Sequence, residues 1–331
     1  MSSAATATST VPTKPSQALS PRLRLFSGSA NVPLAQQVAQ YLNIELGPVT
    51  RKQFADGEIY IQFQESIRGC DVFLLQPTCE PVNDRLLELL IMIDACKRAS
   101  ASQITAVLPY YGYARADRRS SGRESITAKL ASDLIVQAGA DRVLSVDLHT
   151  AQVQAYFDIP IDHVSSFPVL IQHLKQRNLP NPVVVSPDIG GVSRARAFAK
   201  AFGGAPLAII DKRHSVSSSP AINVIGEVKD KTAIIIDDII DTGSTLLRAA
   251  QAVKQAGASQ VLACATHGVL TPPAWSRLNH PVLDEVIITN TLPIPADKSC
   301  DRLTILSVAE LLGETIQCIH QGLSVSYLLA S

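Results

Sequence analysis

The chain has 331 residues, 46% of them apolar, which is typical of about two globular domains with a sizeable core. Its 29 basic residues balance its 29 acidic residues, so no overall electric field favours binding to nucleic acid or to an anionic membrane. The six cysteines show no CxxC spacing and indicate neither a structural zinc site nor a disulfide framework. A reducing compartment, the cytoplasm, is therefore expected.

The first twenty residues differ in composition from the rest. MSSAATATSTVPTKPSQALS is rich in Ser, Thr, Ala and Pro, and Lys14 is its only charged side chain. Such a segment buries too little apolar surface to order itself, so residues 1–20 are predicted to be a disordered extension. A short organelle transit peptide is the alternative, because acids are absent and Arg22 and Arg24 follow.

From residue 22 onward, apolar runs of strand length alternate with segments of helical period. In the first part of the chain, the predicted strands are LRLFSGS, DVFLLQP, ITAVLPYYG and RVLSVDL, and the predicted helices are VPLAQQVAQYL, NDRLLELLIMIDACKRA and SITAKLASDLIVQAGA. This alternation is typical of a parallel sheet with helices on both faces. The helix around LLELLIMIDAC is interrupted by Glu88 and Asp94 and is shorter than a membrane span, so no transmembrane segment is predicted.

The same alternation begins again after residue 165. A helix at VLIQHLKQRN opens this part. The predicted strands are PVVVSPD, PLAIID, TAIIIDD, QVLACATHG and EVIITN, and the further predicted helices are GVSRARAFAKAFG, STLLRAAQAVKQAGA and LTILSVAELLGETIQCIHQ. The sequence therefore predicts an α/β fold with two domains, residues 21–165 and residues 166–331, each a mainly parallel sheet flanked by helices.

Polar residues cluster where the predicted strands end. Such positions are Asp147 to His149, Ser186 to Asp188, Asp211 to Arg213, and the pair Asp237 and Asp238. In open α/β sheets, ligands bind outside the carboxyl ends of the strands. These residues are therefore expected to meet at one site.

The stretch TAIIIDDIIDTGSTL is the most informative of these strand ends. The turn from Thr242 to Thr245 leads into a helix and offers backbone N–H groups and hydroxyls, which attract phosphate at a helix N-terminus. Acids beside a phosphate-binding turn suit a sugar phosphate, with carboxylates on the hydroxyls and amides on the phosphate. An ordinary strand end with a polar helix cap is the alternative.

Six segments together resemble the ribose-phosphate pyrophosphokinase family, which makes phosphoribosyl pyrophosphate from ATP and ribose 5-phosphate. They are FADGEIYIQF (54–63), YGYARADRR (111–119), SVDLHTAQVQAYFDIPIDHV (145–164), SPDIGGVSRA (186–195), IIDKR (209–213) and IIIDDIIDTGST (234–245). The resemblance extends from about residue 22 to SVSYLL at 324–329. It implies two tandem phosphoribosyltransferase-like domains.

The resemblance also implies residue roles. Lys212 and Arg213 are expected to be catalytic, with the Lys212 ammonium neutralising charge on the diphosphate during transfer. His149 and Asp188 are expected to contact Mg²⁺, which keeps waters and takes its other oxygens from the nucleotide. The expected ATP-binding residues are Phe54, Asp56, Gly57, Glu58, Arg115 and Ala116. The expected ribose 5-phosphate-binding residues are His214, Asp237, Asp238, Asp241, Thr242, Gly243, Ser244 and Thr245.

The family further implies a homo-oligomer, a hexamer, in which the Asp56–Glu58 segment reaches the ATP site of a neighbouring subunit. Inorganic phosphate is the expected activator and ADP a further regulator.

Three positions depart from the family pattern: Ala116 stands where Gln is usual, His214 replaces a second cation, and Ser244 stands where Gly is commoner. The serine-rich SVSSSPAIN at 215–223 replaces a more polar loop.

Two other functions compete with this one. A regulatory or structural relative that catalyses poorly is suggested by Ala116 and His214. A phosphoribosyltransferase, which consumes the activated sugar, would also carry DDIIDTGST. The presence of FADGE and DLHTAQ argues against the transferase.

Overall fold

The computed structural model describes residues 22–213, 221–295, 297–298 and 300–328. The predicted extension, residues 1–20, and His214 lie outside them. In chain order, the elements of the first unit are β1 (Leu23–Ser27), α1 (Val32–Leu42), β2 (Val49–Gln53), β3 (Ile59–Phe63), β4 (Asp71–Leu75), α2 (Val82–Arg98), β5 (Gln103–Leu108), α3 (Thr127–Ala138), β6 (Arg142–Val146), a 3₁₀ helix (Ala151–Tyr156) and β7 (Ile161–Val164).

The elements of the second unit follow without a long linker. They are α4 (Phe167–Gln176), β8 (Pro182–Ser186), α5 (Val192–Ala201), β9 (Leu207–Arg213), β10 (Ala221–Ile225), β11 (Thr232–Ile240), α6 (Ser244–Gln255), β12 (Gln260–Gly268), α7 (Pro272–Leu278), β13 (Glu285–Thr289), β14 (Leu303–Leu306) and α8 (Ala309–Gln321).

The first unit is built on a parallel sheet with the strand order β1-β4-β5-β6-β7. Its strands are continuous apolar runs because helices cover both faces, and Val72 to Leu75 in β4 are fully buried. The side chain of Asn31 accepts a hydrogen bond from the Leu34 N–H and begins α1, while Gly139 ends α3 in the left-handed conformation (φ 116°).

Strands β2 and β3 form a separate antiparallel hairpin. The Phe63 ring of β3 packs edge-on against Phe26 of β1, with ring centroids 4.6 Å apart. The hairpin tip, residues 54–58, is exposed, and Gly57 supplies the positive φ of 97° that its turn requires. The hairpin therefore projects from the first sheet.

The second unit contains a seven-stranded sheet with the order β10-β9-β8-β11-β12-β13-β14. β10 is antiparallel to β9, and the other neighbours are parallel. β11 lies between β8 and β12, and residues Thr232 to Ile236 are fully buried. The expected α/β class with mainly parallel sheets flanked by helices is confirmed.

The last helix of the chain returns to the first unit. Leu312 and Ile316 of α8 are fully buried in the apolar core that contains Leu34 and Val38 of α1. The domain division at residues 165 and 166 stays a prediction. The structure adds that the C-terminal helix completes the core beside the first sheet.

Most predicted strands and helices occur within a few residues of the expected bounds, but the long helix predicted over residues 303–321 is wrong in its first turn. Leu303–Leu306 instead forms β14, an edge strand parallel to β13. The apolar residues of LTIL also fit a helical period, and only pairing with β13 favours the strand. The sequence also missed β2, β3, β7, β10 and α7.

No helix in the described part of the chain is both long and apolar enough to span a membrane.

Candidate functional site

A pocket of about 290 Å³ opens at the carboxyl end of β11. Its second-unit wall consists of Asp188 after β8 and residues 237–246, from the end of β11 to the first turn of α6. The first unit contributes Arg115 and His149. The pocket therefore lies between the two units, at the edge where ligands of open α/β sheets bind.

The acidic pair at the end of β11 shares one arginine. An Arg194 Nη1 atom lies 3.2 Å from Asp237 Oδ1 and 3.0 Å from Asp238 Oδ1. The Asp238 side chain is 4% exposed, whereas that of Asp237 is 27% exposed and can reach a ligand. Arg194 thus stabilises two adjacent carboxylates that would otherwise repel each other.

His149 is oriented by the buried member of this pair. Its Nδ1 lies 2.7 Å from Asp238 Oδ2, and its backbone carbonyl accepts a hydrogen bond of 3.1 Å from Arg194 Nη2. A carboxylate on Nδ1 fixes the ring and leaves Nε2 available as a ligand atom. The hydrogen bond between His149 and Asp238 is also the largest cause of the raised pKa of the His149 imidazole.

The two acids differ in their titration. Burial, followed by the adjacent Asp238 charge, raises the pKa of Asp237 above its ordinary value. Burial would also raise the pKa of Asp238, but the hydrogen bond to His149 and the Arg194 charge outweigh it and lower the pKa. Asp238 therefore stays ionised more readily than Asp237.

The turn after β11 is held by contacts on both sides. Asp241 accepts hydrogen bonds from Arg115 Nη1 (2.6 Å) and from the Thr271 hydroxyl (2.9 Å). Arg277 Nη1 donates to the carbonyl of Thr242 at 2.6 Å. These contacts fix the backbone that leads into α6.

The start of α6 has the geometry of an anion site. Gly243, at the N-cap position, adopts the left-handed conformation (φ 72°) and has no side chain that could cap this helix. The Ser244 N–H donates a 3.4 Å hydrogen bond to the Thr242 hydroxyl. The first N–H groups of α6 have no partner within the helix, and the residues that carry them, Ser244 to Leu246, line the pocket. Ser244 is the first helical residue and has a negative φ, so it fits where glycine was expected.

Arg115 and Ala116 lie on the loop after β5. The Arg115 side chain is 50% exposed and reaches the pocket through its ion pair with Asp241. The backbone N–H of Ala116 donates to the Tyr113 carbonyl (2.8 Å), and its carbonyl accepts from the Ala128 N–H (3.2 Å). The Ala116 N–H therefore already has a partner, whereas its carbonyl oxygen can accept one further hydrogen bond.

The expected metal pair comes from two different strand ends. Asp188 Oδ1 accepts from the Gly191 N–H at 2.9 Å, which orients the carboxylate beside the pocket that His149 also lines. No group of three or more His, Cys, Asp or Glu side chains is arranged to hold a metal ion among the described residues. One oriented imidazole and one oriented carboxylate fit a hard cation that keeps several waters and binds substrate oxygens.

Some expected site residues are not brought to this pocket. Phe54, Asp56, Gly57 and Glu58 lie at the exposed tip of the β2–β3 hairpin and do not line it. Lys212 and Arg213 are the last residues of β9, and their side chains are not among those described. His214, expected to bind ribose 5-phosphate, lies outside the described residues.

The sequence interpretation missed Arg194, which contacts both acids and the His149 carbonyl. A usable signal was present, because the arginine stands in the first turn of the helix that follows Asp188, within SPDIGGVSRA. Such a position points toward the carboxyl end of the neighbouring strand. Thr271 and Arg277, which support the turn, carried no comparable signal.

Comparison with known proteins gives consistent matches along the chain. Residues 23–139 match the model of the N-terminal domain of ribose phosphate pyrophosphokinase, and residues 209–330 match that of the phosphoribosyl synthetase-associated domain. Ribose-phosphate pyrophosphokinases of Synechococcus elongatus and Nostoc are 64% and 62% identical, each over 92% of this chain and 93% of the relative.

A solved structure agrees with these sequence matches. The crystal structure of phosphoribosylpyrophosphate synthetase from Mycobacterium smegmatis is 48% identical and superimposes with a TM-score of 0.87 over 91% of this chain and 99% of that chain. This match confirms the fold that the sequence resemblance implied. The chain therefore belongs to the ribose-phosphate pyrophosphokinase family.

Proposed function

We propose that the chain transfers the β,γ-diphosphoryl group of ATP to the C1 hydroxyl of ribose 5-phosphate, giving 5-phosphoribosyl 1-pyrophosphate and AMP. The observation that supports the proposal is that one pocket combines two acids with a helix start whose first N–H groups have no intrahelical partner. Family membership supports the same reaction. The chain is an enzyme, a diphosphotransferase.

Ribose 5-phosphate occupies the pocket at the end of β11. Its 5-phosphate accepts hydrogen bonds from the turn at residues 241–245 and from the first N–H groups of α6, where the helix dipole favours negative charge. Asp237, the more exposed acid, accepts hydrogen bonds from the ring hydroxyls. Asp238 acts mainly by holding His149 and Arg194 in place.

His149 and Asp188 are the residues that would hold Mg²⁺. Bound there, the ion would supply positive charge that neutralises the phosphate oxygens of the substrates. This chain's part is to present His149 Nε2, which the Asp238 hydrogen bond orients, and the Asp188 carboxylate, which Gly191 orients.

ATP is bound by groups from more than one element. Arg115 lines the pocket and contacts the ATP phosphates, exchanging its partner Asp241 for them. Lys212 and Arg213, at the end of β9, stabilise the charge of the transferring group. The exposed tip of the hairpin, Phe54 and residues 56–58, reaches a neighbouring subunit of a homohexamer. There it binds the adenine of the ATP that the neighbouring subunit holds. Inorganic phosphate activates the assembly.

The first test measures the products formed from ATP and ribose 5-phosphate by the purified chain with Mg²⁺ and inorganic phosphate. Mass spectrometry is expected to show AMP and phosphoribosyl pyrophosphate in equal amounts. Lys212→Ala is expected to lower kcat by roughly 10²- to 10³-fold, since it removes a preorganised charge partner of the transition state.

The control is Lys200→Ala, which removes an exposed lysine of α5 that does not line the pocket. Its rate is expected to match that of the unaltered protein. If the unaltered chain binds ribose 5-phosphate but forms no AMP, the proposed reaction is wrong and a regulatory relative, with Ala116 and His214 as the cause, replaces it.

A further inference from the structure

A buried carboxylate lies in the first unit, away from the pocket. The Glu88 side chain on α2 is 1% exposed. Its oxygens accept hydrogen bonds from the Ser29 N–H (2.8 Å), the Ser29 hydroxyl (2.6 Å) and Gln76 Nε2 (3.1 Å). Such a charge is tolerated in the interior only when it is also paired with opposite charge.

Two arginines provide that pairing, and they come from different elements. Arg85 Nη1 lies 3.1 Å from Glu88 Oε2 and belongs to the same helix, one turn earlier. Arg51 Nε lies 3.2 Å from Glu88 Oε1 and belongs to β2 of the hairpin. The Arg85 contact is therefore internal to α2, whereas the Arg51 contact joins the hairpin to α2.

Other directional contacts between the hairpin and the body lie at its base, where the Gly47 N–H donates to the Leu25 carbonyl (2.8 Å) and Arg24 Nε lies 3.2 Å from Glu65 Oε2. Val49, Ile61 and Phe63 pack against the core at its base, and apolar packing of this kind permits small rotations. Arg51 precedes the tip residue Phe54 by about 10 Å of extended strand. A small rotation at the base consequently displaces the tip.

We propose that Arg51 is a positioning residue for the nucleotide: its ion pair with Glu88 sets the angle at which the hairpin presents residues 54–58. The inference rests on the proposed role of this tip in binding adenine. Arg51 does not touch ATP itself. It acts through the orientation of the hairpin.

The experiment compares Arg51→Met with Arg85→Met in the full-length protein. Each change removes one cation from the same buried carboxylate, so both are expected to lower Tm to a similar extent. Arg51→Met is expected to raise the KM for ATP about tenfold, because a misplacement near 1 Å has effects of this size or larger. Its KM for ribose 5-phosphate and its kcat at saturating ATP are expected to stay unchanged, since only uniform binding is lost.

Arg85→Met is expected to leave the KM for ATP unchanged, and Arg51→Lys is expected to lie between Arg51→Met and the unaltered protein. Equal KM values for ATP in Arg51→Met and Arg85→Met would overturn the inference, as would an equal change in both substrates' KM values for Arg51→Met. Phe54→Ala distinguishes the adenine-binding role of the hairpin tip from the positioning role of Arg51. If it leaves the KM for ATP unchanged, the assignment of the tip fails; if it raises this KM while Arg51→Met does not, only the positioning role fails.

Discussion

At the scale of single residues, Arg194 is the arginine that favours the ionised form of both acids in the pocket. It contacts both acids at the end of β11, and its positive charge lowers the pKa of each. Burial acts in the opposite direction on both acids. Ionisation of the pair therefore depends on this guanidinium group together with the hydrogen bond from His149 to Asp238.

Arg194→Met is expected to raise the pKa of Asp237 and of Asp238. A higher pH is then needed to ionise them, so the acidic limb of the profile of kcat/KM for ribose 5-phosphate against pH should move to higher pH. At pH 7 this kcat/KM should fall by about tenfold or more, because the two buried acids have lost the cation that is paired with them. Steady-state kinetics between pH 5.5 and about 9 measure both effects.

Arg196→Met is the matched control, since this arginine lies on the same helix and is exposed. Its pH profile should coincide with that of the unaltered protein. An acidic limb that stays in place in Arg194→Met would show that Arg194 does not control ionisation of the pair.

At the scale of secondary-structure elements, the turn from β11 into α6 carries the proposed phosphate site. Gly243 adopts a positive φ there, and a Cβ would lie 3.5 Å from the nearest atom, Arg277 Cβ, an ordinary contact. The constraint at this position is therefore backbone conformation and not space.

Gly243→Ala is expected to destabilise the protein by roughly 1–2 kcal/mol, the cost of the left-handed conformation for a residue with a Cβ. Relaxation of the turn would misalign the N–H groups, so the KM for ribose 5-phosphate should rise by about tenfold or more while the KM for ATP changes little. Thermal unfolding and steady-state kinetics test the two parts.

Gly257→Ala serves as the comparison, because Gly257 also has a positive φ (95°) but follows the other end of α6, away from the pocket. It should lower Tm without changing either KM. If both glycine variants change the KM for ribose 5-phosphate equally, the effect comes from general destabilisation and not from the turn.

At the scale of the whole molecule, the two units are joined by more than the connection between them. Asn31 Nδ2 donates to the Asn290 carbonyl (2.9 Å), Thr266 donates to Asp147 (2.7 Å), and α8 packs on α1. These contacts join residues far apart in the sequence. They predict that the units unfold together.

Leu312→Ala in α8 is expected to destabilise the protein by about 2–5 kcal/mol, since it leaves a cavity at a fully buried position. The single tryptophan, Trp275, lies in α7 of the second unit and reports on that unit alone. Its fluorescence midpoint should fall by the same amount as the midpoint from far-ultraviolet circular dichroism. Leu323→Ala, at a position 39% exposed, should shift neither. Separate midpoints in Leu312→Ala would mean that the units unfold independently.

The sequence by itself determined the α/β class, most strands and helices, and the chemistry of the strand ends. The buried strands of both sheets could be predicted from the sequence. Both faces of each sheet are covered, and this produces continuous apolar runs such as Ala233 to Ile236. The turn at residues 241–245 could also be predicted, because its glycine, its hydroxyl side chains and the helical period that follows are all local signals.

Only the tertiary structure decided which side chains meet. His149 and Asp238 are 89 residues apart in the sequence, Arg115 and Asp241 are 126 apart, and the partnership of Glu88 with Arg51 crosses from a helix to a hairpin that the sequence did not predict. The division of LTILSV between β14 and α8 likewise follows from pairing with β13. Periodicity encodes the face that an element buries, whereas the pairing of polar side chains depends on distances that exist only after the sheets are assembled.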